Sequence, residues 1–176
     1  PLERLPPYLE ALVDGKFYFV LHAPRQCGKT TSVLAFAEKL RAEGRYAVVF
    51  CSVEDARTCR TAEEVIDSVV TDLRIAARKQ LPATEQPPLE DPADVRTHRI
   101  RLYQYLSNWC LVCPRPLVIF IDEFDCLQGD GMISVLSQLR KGYAERPKAF
   151  PHSLCIFGMR DVRDYKVASG GSDALG

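Results

Sequence analysis

Ala23-Pro24-Arg25-Gln26-Cys27-Gly28-Lys29-Thr30 decides how this chain reads. The run follows an apolar, strand-like stretch, Phe17-Tyr18-Phe19-Val20-Leu21, and opens a helix-like stretch from Thr31 to Leu40. A loop between strand and helix turns its backbone N–H groups inward, and the helix N-terminus adds partial positive charge, so a polyphosphate can sit there. Lys29 is placed to reach the β- and γ-phosphates, and the Thr30 hydroxyl offers Mg2+ a hard oxygen ligand. Gly28 lets the phosphates approach where a Cβ would collide. Ala23, Pro24, Arg25, Gln26, Cys27, Gly28, Lys29, Thr30 and Thr31 are therefore the candidate nucleotide-binding residues. The usual pattern is G-x-x-x-x-G-K-[ST], and its first glycine is here Ala23. Alanine fits there at negative φ and is strained at positive φ. A bare G-K-T also arises by chance in surface turns; the flanking elements and an acidic partner downstream set this one apart.

That partner is Leu117-Val118-Ile119-Phe120-Ile121-Asp122-Glu123. Five consecutive apolar residues read as a strand buried on both faces, as in a parallel sheet. Its two carboxylates then stand at the carboxyl end, where open α/β sheets bind their ligands. Asp122 is the candidate Mg2+ ligand beside Thr30. Glu123 is the candidate general base that polarises an attacking water. The plainer reading is that both acids cap the following helix; the upstream loop favours the catalytic one.

Composition narrows the class. The 176 residues suffice for one domain with a real core, and 47% hydrophobic with 26% charged residues is an ordinary globular profile. With 23 basic and 23 acidic side chains the formal charge is zero. A whole-domain basic field for nucleic acid is thus absent, which makes nucleic acid a disfavoured partner without closing off a local patch. No apolar run approaches the ~18 residues of a transmembrane helix, so no membrane association is expected. The chain begins at Pro1 and stops at Ser172-Asp173-Ala174-Leu175-Gly176, which reads as a piece of a longer protein.

Seven cysteines occur, an odd number, and Cys51 and Cys155 lie in apolar strand-like runs. Such usage fits a reducing, cytoplasmic setting better than a disulfide framework. Cys110-Leu111-Val112-Cys113 is a lone C-x-x-C with no histidine at metal-ligand spacing, a weak signal for zinc or redox chemistry. Cys27 sits in the anion loop, where positive potential lowers a thiol pKa, but a tolerated loop position is the simpler reading.

The pattern predicts a helix over 2–13 with Leu5, Leu9, Leu12 and Val13 on one face, and strands over 17–21, 46–53, 117–121 and 153–158. Helices are predicted to 42 from the phosphate loop, and over 62–79, 93–111 and 132–145. Val65, Ile66, Val69, Leu73 and Ala76 make one core stripe; Ile133, Leu136, Leu139 and Tyr143 make another. Residues 81–92, rich in Pro and Glu, read as a flexible loop, and Gly129-Asp130-Gly131 as a turn. Basic Arg96, His98, Arg99 and Arg101 near Tyr103, Tyr105 and Trp109 read as a solvated helix face with aromatics packed inward, ahead of a nucleic-acid surface. The β-α-β-α order predicts a single α/β domain over 1–176, a three-layer α/β/α sandwich on a mainly parallel sheet.

With these motifs in this order, the chain resembles the AAA-like ATPases, of the additional-strand branch of P-loop NTPases, near the STAND and archaeal ATPase groups. The A-P-R-Q-x-G-K-T form, alanine included, looks like that group's P-loop, and I-D-E-F-D looks like its Walker B element. Gly158-Met159-Arg160-Asp161-Val162-Arg163-Asp164 stands where the branch places its sensor-I segment. The resemblance implies a sheet with the Walker B strand beside strand two and the sensor-I strand between Walker B and the P-loop strand. It implies ATP and Mg2+ as cofactors, and Arg160 near the γ-phosphate as a third candidate catalytic residue beside Lys29 and Glu123. It implies a module of a larger regulatory ATPase, partnered by other domains of its own protein and by like subunits across ATPase interfaces. The alternatives are a non-catalytic nucleotide-binding scaffold, a P-loop kinase and a DNA-associated ATPase.

Overall fold

Four strands, β1 (Tyr18–Leu21), β2 (Ala47–Ser52), β3 (Leu117–Asp122) and β4 (Ser153–Phe157), lie side by side in the order β1-β4-β3-β2, each neighbouring pair parallel. The computed structural model describes residues 5–21, 29–89 and 97–158, without the Lys29 side chain. The register places Leu21 opposite Phe157 and Ser52 opposite Asp122, so the carboxyl ends of all four strands form one rim. This is the strand order that the resemblance implies.

Alternation along the buried strands builds the three layers. Val48, Val118, Phe120, Cys155 and Phe157 face α1 (Leu9–Asp14) and α2 (Lys29–Glu43), packing with Leu9, Val13, Val33, Phe36, Ala37 and Leu40. Val49, Cys51, Ile119, Ile121, Leu154 and Ile156 face α3 (Ala62–Gln80), α4 (His98–Val112) and α5 (Gly129–Gly142). The predicted α3 stripe is buried throughout. Thr61 starts that helix with a reciprocal cap: its hydroxyl accepts from Glu64 N–H while the Glu64 carboxylate accepts from Thr61 N–H. At the other end the Gln80 amide acts as a surrogate strand neighbour for β2. Its Oε1 accepts Phe50 N–H at 2.9 Å and its Nε2 donates to Phe50 O at 2.6 Å.

Two helices depart from the sequence pattern. The first begins at Leu9, not Leu2, because Pro6 and Pro7 bias the residues before them away from helical backbone. In α5 the buried stripe is Met132, Val135 and Leu139, whereas Ile133, Leu136 and Tyr143 are exposed. Leu139 belongs to both candidate stripes, so apolar spacing alone does not choose between faces one residue apart. The expected turn 129–131 is instead the first turn of α5. Gly131 serves packing: a Cβ there would sit 2.6 Å from Val65 Cγ2 on α3.

The loop after Gln80 is anchored over its described part. Arg115 makes two hydrogen bonds to the buried Glu85 carboxylate, at 2.5 and 2.6 Å, and Trp109 Nε1–H donates to Glu85 O at 2.7 Å. On α4, Tyr105 and Trp109 are buried and Tyr103 stacks on Phe150, so these aromatics turn inward as expected. Burial pushes the Cys51, Cys110 and Cys155 thiols well up, away from the thiolate that reactivity needs. No helix among the described residues is long and apolar enough to cross a membrane.

Asp72 on α3 is a weak point of the core's edge. Its Oδ2 is buried without a hydrogen-bond partner. Burial first, and the Asp55 charge second, push its carboxyl up to about 6, against a lowering hydrogen bond from Ser68. A folded-state pKa above the unfolded value means that the carboxylate costs stability above pH 6. That cost fades as pH falls toward the unfolded value near 4. Asp72→Asn is therefore expected to stabilise at pH 8 by roughly 1 kcal/mol, about half or less of what the full shift implies, because the group is partly solvated. Thermal melts should show a gain of about 3 °C at pH 8 and none below pH 4.

Candidate active site

The site is built where β3, β4 and the start of α2 meet. Ile121 is the last apolar residue of β3; Asp122 ends the strand, 4% exposed. Phe124 then turns back into the core, fully buried, and opens a short 3₁₀ turn, Phe124–Cys126. Between an inward Asp122 and an inward Phe124, Glu123 is left pointing out, its side chain 44% exposed, in the left-handed region at φ 57°, ψ 30°. Its backbone is held at both ends. The N–H donates to Asp122 Oδ1 at 2.9 Å, and the carbonyl accepts from Cys126 N–H at 3.0 Å.

Thr30, in the first turn of α2, donates its hydroxyl to Asp122 Oδ2 at 2.8 Å. The two residues stand 92 apart in sequence. Adjacent ligands of an octahedral Mg2+ with bonds of 2.0–2.1 Å lie about 2.9 Å apart. A hydroxyl and a carboxylate oxygen at 2.8 Å are thus a hard-oxygen pair already at the spacing one edge of that octahedron requires. The donor set fits Mg2+.

The 3₁₀ turn Glu54–Thr58 after β2 brings Arg57 to the same rim. Its Nη2 lies 3.8 Å from Glu123 Oε2 and 3.3 Å from Glu54 Oε1. Both partners are largely exposed, so this pair is worth under about 1 kcal/mol. Arg57 was not legible as a site residue: only the β2–β3 pairing brings the end of strand two beside Glu123. Gly158 is the other newcomer, directly after β4 and packed on the Glu123 backbone.

Of the sequence candidates, Thr30, Asp122 and Glu123 are brought together, and Lys29 and Thr31 flank Thr30 at the head of α2. Ala23, Pro24, Arg25, Gln26, Cys27, Gly28 and Arg160 lie outside the described residues. Among the described residues no group of three or more His, Cys, Asp and Glu side chains forms a metal cluster.

A family model described as AAA domain matches residues 14–165. Among solved structures, the chain is similar to Drosophila ORC bound to poly(dA/dT) DNA and Cdc6, with a TM-score of 0.54 and 16% identity over 92% of this chain and 25% of that one. Drosophila ORC bound to GC-rich DNA and Cdc6 gives 0.49 and 18%, over 93% of this chain and 24% of that one. The first of these likenesses shows the fold. The chain spans about a quarter of the length of those ORC chains. No curated protein sequence matches significantly.

Proposed function

The chain belongs to the AAA domain family, and from that premise we propose that it binds ATP with Mg2+ and hydrolyses it as a switch module of a larger regulatory ATPase. One observation carries the reading: the Thr30–Asp122 contact at 2.8 Å, with Glu123 next in sequence at the strand ends. Mg2+, when bound, would supply positive charge that offsets the charge developing on the phosphates.

The chain's own residues do the rest. Lys29, at the head of α2, places an ammonium against the phosphates. Thr30 and Asp122 would hold the cation through their hydroxyl and carboxylate oxygens. Glu123 projects from the rim into solvent, where its carboxylate can take a water proton and aim the oxygen. Arg160 is proposed to offset charge on the γ-phosphate. The switch follows because hydrolysis removes the group that these residues jointly grip. Like subunits or sister domains are the proposed partners.

Asp122→Asn tests the metal arm. Its amide can keep the acceptor for Glu123 N–H and turn its NH2 toward the Thr30 oxygen, so the fold is expected to survive. The negative charge is lost, so ATP affinity in the presence of Mg2+ should fall about tenfold or more, while Mg2+-free binding stays put. Titration calorimetry with and without EDTA reads both; equal loss in the two conditions would remove Asp122 from the metal.

A further inference from the structure

Gly158 meets Glu123 more closely than a side chain would allow. It follows β4 at φ +83°, and an ideal Cβ there would lie 2.7 Å from Asp125 Oδ1, 3.2 Å from Glu123 Cα and 3.3 Å from Glu123 N. The Asp125 oxygen ends a side chain and can swing away. The Glu123 backbone has less room: its N–H is committed to Asp122, its carbonyl to Cys126, and Phe124 beside it is fully buried. A Cβ on Gly158 must therefore push Glu123 along the rim, or push β4 away from β3.

We propose that Gly158 is a positioning residue for Glu123: by carrying no side chain, the end of β4 lets the Glu123 backbone settle into its left-handed seat with the carboxylate turned outward at the rim. The proposal rests on the reading of Glu123 as general base. Two independent features support it. One is the positive φ, which any L side chain finds strained. The other is the closeness of the Glu123 backbone, which an added Cβ would meet at 3.2 and 3.3 Å, a crowding distinct from the strain of the positive φ. When a 1 Å error costs about a hundredfold, displacing a general base by a few tenths of an ångström costs about four- to tenfold in rate.

Gly44 supplies the matched control. It lies at φ +73°, so alanine there carries the same kind of strain, yet its nearest neighbour to a Cβ is Arg115 Nη1 at 4.0 Å, far from the site. In the full chain, Gly158→Ala is expected to lower kcat for ATP hydrolysis about four- to tenfold, with the ATP Kd within threefold of wild type. Gly44→Ala should lower Tm comparably and leave kcat within twofold. In 1H–15N spectra the Glu123 amide resonance should move in Gly158→Ala and stay in Gly44→Ala. If Gly158→Ala does not fold, Gly158→Ala with Asp125→Ala, relieved of the 2.7 Å contact, is read in its place. A kcat within twofold of wild type, a loss of ATP binding in step with kcat, or an unmoved Glu123 amide overturns the proposal. A wild-type chain that binds ATP and releases no phosphate removes the hydrolytic reading instead; the amide resonance then decides the seat by itself.

Discussion

Lys29→Ala is expected to weaken ATP binding by one to two orders of magnitude while the domain stays folded. A charge-assisted contact to phosphate is worth about 1.5–3 kcal/mol, and each 1.4 kcal/mol is tenfold in affinity. Lys29 is the first residue of α2 and the helix does not depend on it: Val33, Phe36, Ala37 and Leu40 anchor α2 to the sheet, and alanine is the best helix former. Equilibrium binding of labelled ATP measures the loss, and circular dichroism melts check the fold. Retained affinity in a folded variant would show that the 23–30 loop is not the phosphate site, and the Thr30–Asp122 contact would then be a structural bond.

Much of this arrangement was legible because two kinds of pattern agree. The apolar run 117–121 is longer than an amphipathic strand allows, so it had to be buried on both faces, and a parallel sheet is what buries strands that way. The α3 stripe was legible because no competing face exists: Val65, Ile66, Val69, Leu73 and Ala76 leave one side only. The α5 stripe was not, since Ile133 and Leu136 offered a second face as good in spacing as Met132 and Val135. What broke the tie was tertiary, the approach of Gly131 to Val65. The same limit applies at the rim. Thr30 and Asp122 could be named from motif spacing. Arg57 could not, and Gly158 was read only as the start of a motif segment and not as a neighbour of Glu123, because each meets Glu123 only through strand pairing, and a left-handed Glu123 leaves no trace in its neighbours' composition. Sequence shows which groups carry chemistry; the sheet shows what seats them.

Glu123→Gln separates binding from turnover and carries the largest expected effect on rate. Glutamine keeps the size and the backbone seat, and it keeps an oxygen for Arg57. It lacks a carboxylate that can take a proton from water. Positioned general-base catalysis contributes about 10²–10⁴ in rate, so hydrolysis should fall by at least two orders of magnitude while the ATP Kd stays within about threefold. The baseline is itself expected to be slow. An arginine from a partner or another domain is worth about 10³–10⁵ in such reactions, and among the described residues Arg57 at the rim is engaged with Glu54 and Glu123. Phosphate release must therefore be followed over hours at high protein concentration, beside a Lys29→Ala blank. Binding lost together with turnover would make Glu123 a ligand of the nucleotide or its metal. Turnover retained in Glu123→Gln would mean that another group orients the water, and Arg160, which the resemblance implies near the γ-phosphate, would be the first residue to substitute.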